Sequence, residues 1–254
     1  MDKNSNSYIF TYASVMVVIV AMVLTSANLA LKPMQEKNKQ VEKMINILLS
    51  IGVQANTENA ITLYDKHLEK EIIINKEGNE LSVYSKGKMQ IGDSRAFDVD
   101  LKSALTALNK GEKAALPLFI MNKDEKRYYI IPILGKGLWG PVYGNIALES
   151  DGNTIYGVNF GHDSETPGLG AEISNPHVEG KVVFSDLFKQ KKIFDEAGNF
   201  TSVKVVKGGV ASQTIVKPDH GVDAISGSTL TCNGVSNMLN DCIVNYVNYL
   251  KKKK

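Results

Sequence analysis

The sequence predicts an α+β fold, with a mainly antiparallel twisted sheet and flanking helices, behind a single N-terminal transmembrane helix. Three observations predict it. No charged residue occurs from Asn4 to Leu31, and roughly 20 helical residues suffice to cross a hydrocarbon layer of about 30 Å. Beyond Arg127, short apolar or alternating runs are separated by glycine-containing turns, the pattern of antiparallel strands. From Val235 to Leu250 apolar residues recur at helical spacing, which gives one long C-terminal helix with a single apolar face. The chain divides into a tail and anchor (residues 1–33), a membrane-proximal α/β part (34–126) and a strand-rich part ending in that helix (127–254).

Taken in order, Tyr8 to Leu31 is mostly Val, Ala, Met, Ile and Leu. Signal peptides have a shorter apolar core of about 7–15 residues, so the span reads as an uncleaved anchor. Lys3 precedes it, and Lys32, Lys37, Lys39 and Lys43 follow; positive-inside counting alone would put the large domain in the cytoplasm. Val41, Met44, Ile45, Leu48 and Leu49 then mark an amphipathic helix ended by Gly52. Asn56 and Thr57 open a short helix carrying Ile61, Tyr64 and Leu68. Glu71 to Asn75 and Leu81 to Tyr84 form a hairpin around Glu77-Gly78-Asn79, and Leu101 to Leu108 is a helix. Strands follow at Tyr128–Leu134, Tyr143–Leu148 and Thr154–Phe160, the last two joined through Asp151-Gly152, with a later strand at Ser202–Val206.

Composition excludes several classes. At 43% hydrophobic, 22% charged and a net charge of +2, the chain has no basic footprint for nucleic acid. Its one dense basic run, Lys251 to Lys254, reads as a solvated tail or a contact to anionic lipid. Cys232 and Cys242 fall on one helix, too far apart to pair, and read as core thiols. His67, His162, His177 and His220 are scattered without metal-ligand spacing. Gly135, Gly137 and Gly140 spell G-x-G-x-x-G, but Pro141 and a further strand follow where a dinucleotide fingerprint must open a helix. No Ser-His-Asp or nucleophile-elbow pattern supports a hydrolase.

Two segments could hold a ligand. In Glu165-Thr166-Pro167-Gly168-Leu169-Gly170 the glycines allow close approach of backbone, beside an acceptor and a hydroxyl. Residues 223–231, with Ser226, Gly227, Ser228, Thr229, Leu230 and Thr231, precede the C-terminal helix. Free N–H groups and the helix dipole favour phosphate there, although Ser and Thr at a helix start also serve as ordinary caps.

The run Asp223-x-x-Ser226-Gly227-Ser228-Thr229 is similar to the flavinylation motif D-x-x-[ST]-G-A-[ST] of FMN-binding domains, and Glu165 to Gly170 matches that family's E-T-P-G-L-G loop. Within it the chain resembles the C-subunit family of Na+-translocating NADH:quinone oxidoreductases. That likeness rests on Gly135 to Trp139 (G-K-G-L-W), Tyr143-Gly144, Leu230 to Val235 and the single span. The resemblance makes residues 127–254 an FMN-binding domain. It implies that a Mg2+-dependent flavin transferase cleaves FAD and joins FMN by a phosphoester to Thr229, with Asp223 recognised by the transferase. Ser226, Gly227, Ser228, Leu230, Thr231, Glu165, Thr166, Leu169 and Gly170 would bind the cofactor, and Leu138, Trp139 and Leu169 would pack on its ring. Ser228 departs from the motif's Ala, so attachment there stays open.

The family further implies an electron carrier between an iron centre and a second flavin, inactive alone, in a bacterial inner membrane. Its flavin domain would lie on the periplasmic side, against the lysine count, and its partners would be the other subunits, the flavin transferase and the lipid bilayer. No catalytic side chain and no metal ligand are expected. Two alternatives stand: a flavin carrier like the G-subunit of the Rnf ferredoxin:NAD complexes, or an anchored binding module whose hydroxyl-rich segment only caps a helix.

Overall fold

The structure, a computed structural model, describes residues 5–212 and 216–253. Lys3 and Lys254, two of the charges counted above, lie outside the described residues. The chain forms two compact units, Met1–Met44 and Ile45–Lys254.

Helix α1 runs from Asn6 to Ser50. The anchor expected to end near residue 33 and the amphipathic helix expected from Val41 are one helix, which continues through Pro33. Proline inside a helix sacrifices a backbone bond at a cost of about 3 kcal/mol, but Ala30, Leu31, Lys32, Met34 and Gln35 around it are strong helix formers. In the first unit large apolar side chains such as Phe10, Val17, Met22 and Leu24 are exposed. This helix is long and apolar enough to cross a membrane, and a helix apolar on every side suits lipid better than water. In the second unit α1 ends as expected at Gly52, whose φ of +67° closes the last turn. Gly52 N–H donates to Leu49 O (2.9 Å) and Val53 N–H to Leu48 O (3.0 Å), the paired bonds of a Schellman end.

Asn56 Oδ1 accepts from the N–H of Glu58 and Asn59, both at 3.0 Å, which starts α2 (Ala60–His67). Leu68, expected on that helix, begins strand β1 (Leu68–Ile74) instead. The expected hairpin to β2 (Glu80–Ser85) forms with Ile72 opposite Val83. Strands β3 (Lys88–Ile91) and β4 (Leu116–Lys123) add to the expected set. Between them lies α3 (Leu101–Asn109), capped by Asp100 accepting from Lys102 N–H. Then come β5 (Lys126–Lys136), β6 (Pro141–Leu148) and β7 (Ile155–His162). One sheet joins them in the order β3-β2-β1-β4-β5-β6-β7, every neighbour antiparallel. The 126/127 boundary falls inside β5, just after the turn of the β4–β5 hairpin.

Alternation along the strands gives the sheet two buried faces. On one, Tyr129, Ile131 and Ile133 join the main core with the C-terminal helices. On the other, Phe119, Ile130 and Ala147 lie in register and are fully buried. The end of α1 covers that face: a Cβ added at Gly157 of β7 would meet Ser50 O at 2.6 Å. A short parallel pair, β8 (Lys204–Val206) and β9 (Gly221–Asp223), follows. Ser202 adopts a left-handed turn rather than the strand expected of it. The C-terminal helix is broken into α4 (Thr229–Ile243), a 3-10 turn at Val244–Tyr246 and α5 (Val247–Lys252). Its foreseen apolar face is buried: Val235, Met238, Leu239, Cys242, Ile243, Tyr246 and Leu250 are 0–1% exposed. Both cysteines are free and buried, and burial pushes the Cys242 thiol up to about 11. Lys252 and Lys253 are not part of a loose tail. Lys252 Nζ donates to Glu77 O (3.0 Å) and Asn79 Oδ1 (2.9 Å), and Lys253 pairs with Glu80 at 3.2 Å.

One buried charge anchors the β1–β2 end of the sheet. Glu71 on β1, fully covered, pairs with Arg95 and accepts from Tyr64 Oη (3.1 Å) and Phe97 N–H (3.1 Å). Burial first, and Glu71 second, push the Tyr64 phenol well above its ordinary value. Removing one partner of a buried pair strands the other charge, typically at 3–5 kcal/mol. Arg95 keeps about a third of its side chain in solvent, so Arg95→Ala should sit at the low end, about 3 kcal/mol. A urea titration should show the midpoint falling at constant slope.

Candidate functional site

The site forms where α4 begins. Gly227, with φ +75°, turns the chain from β9 into the helix, a conformation glycine adopts without strain. Ser228 occupies the cap position, and its carbonyl accepts the first helical bond, from Cys232 N–H at 2.9 Å. Its hydroxyl makes no cap bond, so the purely structural role expected of Ser or Thr here is not being performed. The N–H groups of Thr229, Leu230 and Thr231 precede the first helical bond and carry no side-chain cap. Such groups, with the dipole behind them, favour an anion. Thr229, the first helical residue, keeps part of its surface open.

A cavity of about 140 Å³ opens at this terminus. It brings together ten of the residues singled out in the sequence: Leu138, Glu165, Thr166, Leu169, Gly170 and residues 227–231. Pockets that enclose whole cofactors span about 300–1,000 Å³, so this one suits a phosphate and its adjoining chain while a flat ring would rest on the rim. The rim is apolar and open: Leu138, Leu169 and Leu230 are 44%, 41% and 60% exposed, and Trp139, next to Leu138 in sequence, is 66% exposed. Three large apolar side chains left in solvent around one cleft, with a fourth adjoining in sequence, are the kind of patch that marks a binding surface.

Glu165 organises the floor. Only 4% exposed, it accepts from Thr231 Oγ1 at 2.5 Å through one oxygen and from Trp139 N–H at 2.9 Å through the other. One carboxylate therefore ties together the β5–β6 turn, the 165–170 loop and the first turn of α4. Burial pushes its pKa up, but the bonds from Thr231 and from the backbone N–H of Trp139, Leu138 and Gly140 outweigh that and hold the carboxyl below its ordinary value. It is an anion at neutral pH. Its own N–H donates to His162 Nδ1 at 3.2 Å.

Glycines make this packing possible. A Cβ at Gly170 would meet Glu165 Oε2 and Thr231 Oγ1, each at 2.5 Å. A Cβ at Gly137 would run into the other carboxylate oxygen, and one at Gly234 would strike the carbonyl of Lys136. The G-x-G-x-x-G run is thus a β5–β6 turn, closed by Gly137 N–H on Gly140 O at 2.8 Å, that admits Glu165 and α4. Neither Gly137 nor Gly234 was singled out for this role in the sequence; a lone glycine inside a helical pattern, as at Gly234, signals such close packing.

Three singled-out residues lie off the cavity wall. Trp139 contributes its N–H to Glu165, and its side chain is exposed. Ser226 is exposed in the turn before Gly227. Asp223, at the end of β9, accepts from Val210 N–H at 2.8 Å and borders a different cleft with Phe184 and Leu187. Among the described residues no cluster of three His, Cys, Asp or Glu could hold a metal ion.

The partly exposed Thr229, uncapped helix terminus, orphaned Ser228 oxygen and apolar rim fit a phosphate-bearing flavin. Comparison with known proteins points the same way. The FMN-binding domain family matches residues 137–244. The C-subunit of the Na+-translocating NADH-quinone reductase of Haemophilus ducreyi is 31% identical over 245 residues, covering 93% of this chain and 89% of that one. Its counterpart in Pasteurella multocida is 31% identical over 252 residues, covering 93% and 90%. Among solved structures, the corresponding protein from Parabacteroides distasonis superposes with a TM-score of 0.71 at 38% identity, covering 87% of this chain and 96% of that one. NqrC of Shewanella oneidensis gives 0.64 at 26% identity, covering 85% and 98%. A bilayer-length helix, an α+β domain with FMN-binding family character and relatives matched over most of their length at this identity place the chain in the C-subunit (NqrC) family of the Na+-translocating NADH-quinone reductases.

Proposed function

We propose that this chain is a membrane-anchored electron carrier holding one FMN through a phosphoester on Thr229. The observation that carries this is Thr229 itself, partly exposed, first in a helix whose terminus has no side-chain cap, and lining a small cavity with an apolar rim. In the loading reaction the Thr229 oxygen would form a bond to the FMN-side phosphorus of FAD, the anhydride bond would break, and AMP would leave as the hydroxyl gives up its proton. The phosphodiester so formed keeps one negative charge. The helix dipole contributes about 0.3–1 kcal/mol towards it, far too little to retain a cofactor, so the covalent bond does that.

Bound FMN supplies one- and two-electron redox chemistry. The residues of the chain bind, orient and shield. The first-turn N–H groups hold the phosphate, the Glu165 anion fixes the turn bearing Leu138 and Trp139, and the open rim leaves a ring edge free for a partner. Those partners are the other subunits of the reductase, with electrons entering from an iron centre and leaving to a second flavin. The chain alone should not oxidise NADH, because its glycine-rich turn joins two strands and opens no helix for a dinucleotide. The flavin domain lies on the periplasmic side; long domains translocate despite flanking lysines, and a covalent tether suits a compartment where replacement flavin is scarce.

The test is co-expression with a flavin transferase, followed by intact mass and in-gel fluorescence of the denatured chain. One FMN per chain is expected. A colourless chain of unchanged mass would leave the segment a helix start and nothing more.

A further inference from the structure

We propose that Ser228 is a phosphate-binding residue and not a second acceptor: its hydroxyl donates to the phosphoester on Thr229, a contact unavailable where the family motif carries Ala. This rests on the reading of Thr229 as the FMN site.

Ser228 is 5% exposed, and its Oγ has no hydrogen-bond partner among the described residues. Leaving a buried hydroxyl unpaired is costly, and native structures rarely do so without reason. Two other buried side-chain oxygens share that state, Asn159 Oδ1 and Ser202 Oγ, but Asn159 still pairs through its amide nitrogen with Asn46 at 3.3 Å, and Ser202 sits in a left-handed turn before β8. Ser228 alone of the three lines the cavity at Thr229. Its backbone explains why the hydroxyl is not spent on the helix. A capping serine typically takes extended angles, whereas Ser228 has φ −113° and ψ 32°, and no cap bond forms. The result is an enclosed, unspent hydroxyl on a residue that lines the cavity, next in sequence to the three uncapped N–H groups. The same burial argues against attachment there: a transferase must reach the hydroxyl it modifies, and Thr229 is the more open of the two.

The experiment compares wild type and Ser228→Ala, each unloaded and FMN-loaded, by thermal melting, with peptide mapping of the loaded forms. Alanine is the residue of the family motif, so the variant folds. Both proteins should take up one FMN, mapped to Thr229. Unloaded Ser228→Ala should melt at the wild-type temperature or above, because an unpaired buried hydroxyl is removed. Loaded, it should lose about 2–4 °C of the FMN-dependent gain, the shift that one hydrogen bond gives in a domain of this size. An equal gain in both proteins overturns the proposal while leaving Thr229 in place, as does FMN mapped to Ser228 in wild type. A wild type that takes up no FMN removes the Thr229 reading itself and this proposal with it.

Discussion

Thr229→Val should yield a folded chain that carries no flavin. Valine preserves the shape of threonine and removes only the oxygen, and the two have similar helix propensities. Thr229 is the first helical residue and makes no side-chain cap, so the substitution should change stability by no more than about 0.5 kcal/mol. Intact mass after co-expression with the transferase should fall from one FMN per chain to none, with in-gel fluorescence lost in parallel. Thr229→Ser should keep attachment, because the hydroxyl stays at the same backbone position. Ser228, being enclosed, should not substitute. FMN retained at full stoichiometry by the valine variant would move the acceptor elsewhere.

The second large effect is on the floor of the site. Glu165→Ala removes the carboxylate that accepts from Thr231 Oγ1 and Trp139 N–H, leaving both donors without that partner. Each unsatisfied group costs about 1–3 kcal/mol, so a loss of about 3–5 kcal/mol is expected, read as a fall in urea midpoint at unchanged slope. Loading should fall too, since the β5–β6 turn and the first turn of α4 lose their common tie. The pH dependence has a definite sign. The folded carboxyl titrates below its ordinary value, so the unfolded chain binds the proton more readily. The stabilisation is therefore complete at neutral pH, begins to fade as pH drops into the ordinary carboxylate range, and is gone below the lower folded value. Glu165→Gln should be less stable than wild type at neutral pH and should show a flatter decline in acid; identical acid limbs for the two would mean that Glu165 contributes nothing to the pH dependence.

Much of the fold can be read directly. The anchor, the β1–β2 hairpin, β5 to β7 and the apolar face of the C-terminal helices are local patterns, set by periodicity and turn residues within a few positions of one another. The departures share a cause. Pro33 has the signature of a helix end and is not one, because the flanking residues sustain the helix across it. Strand β4 escapes the sequence pattern although residues 116–121 form a continuous buried run, the ambiguous signature of a strand covered on both faces. The clasp of Lys252 on the β1–β2 hairpin depends on partners 173 to 175 residues away.

The site shows the same division. The motif residues 226–229 and the 165–170 loop are visible because their chemistry lies in consecutive residues, and a hydroxyl beside a glycine before an apolar helix carries its meaning locally. What sequence does not supply is which of them do structural work. Whether Ser228 caps the helix or leaves its oxygen to a cavity depends on two backbone angles. Whether Glu165 is a surface acceptor or a buried anion depends on Gly137, Gly170 and Thr231 converging from three segments. By itself the sequence determined the anchor, the fold class and the resemblance to FMN-binding domains, since each rests on side-chain type and spacing. Only tertiary structure decided the orphaned Ser228 hydroxyl, the Glu165 tie and the open apolar rim, because burial and hydrogen-bond satisfaction belong to groups brought together from distant parts of the chain.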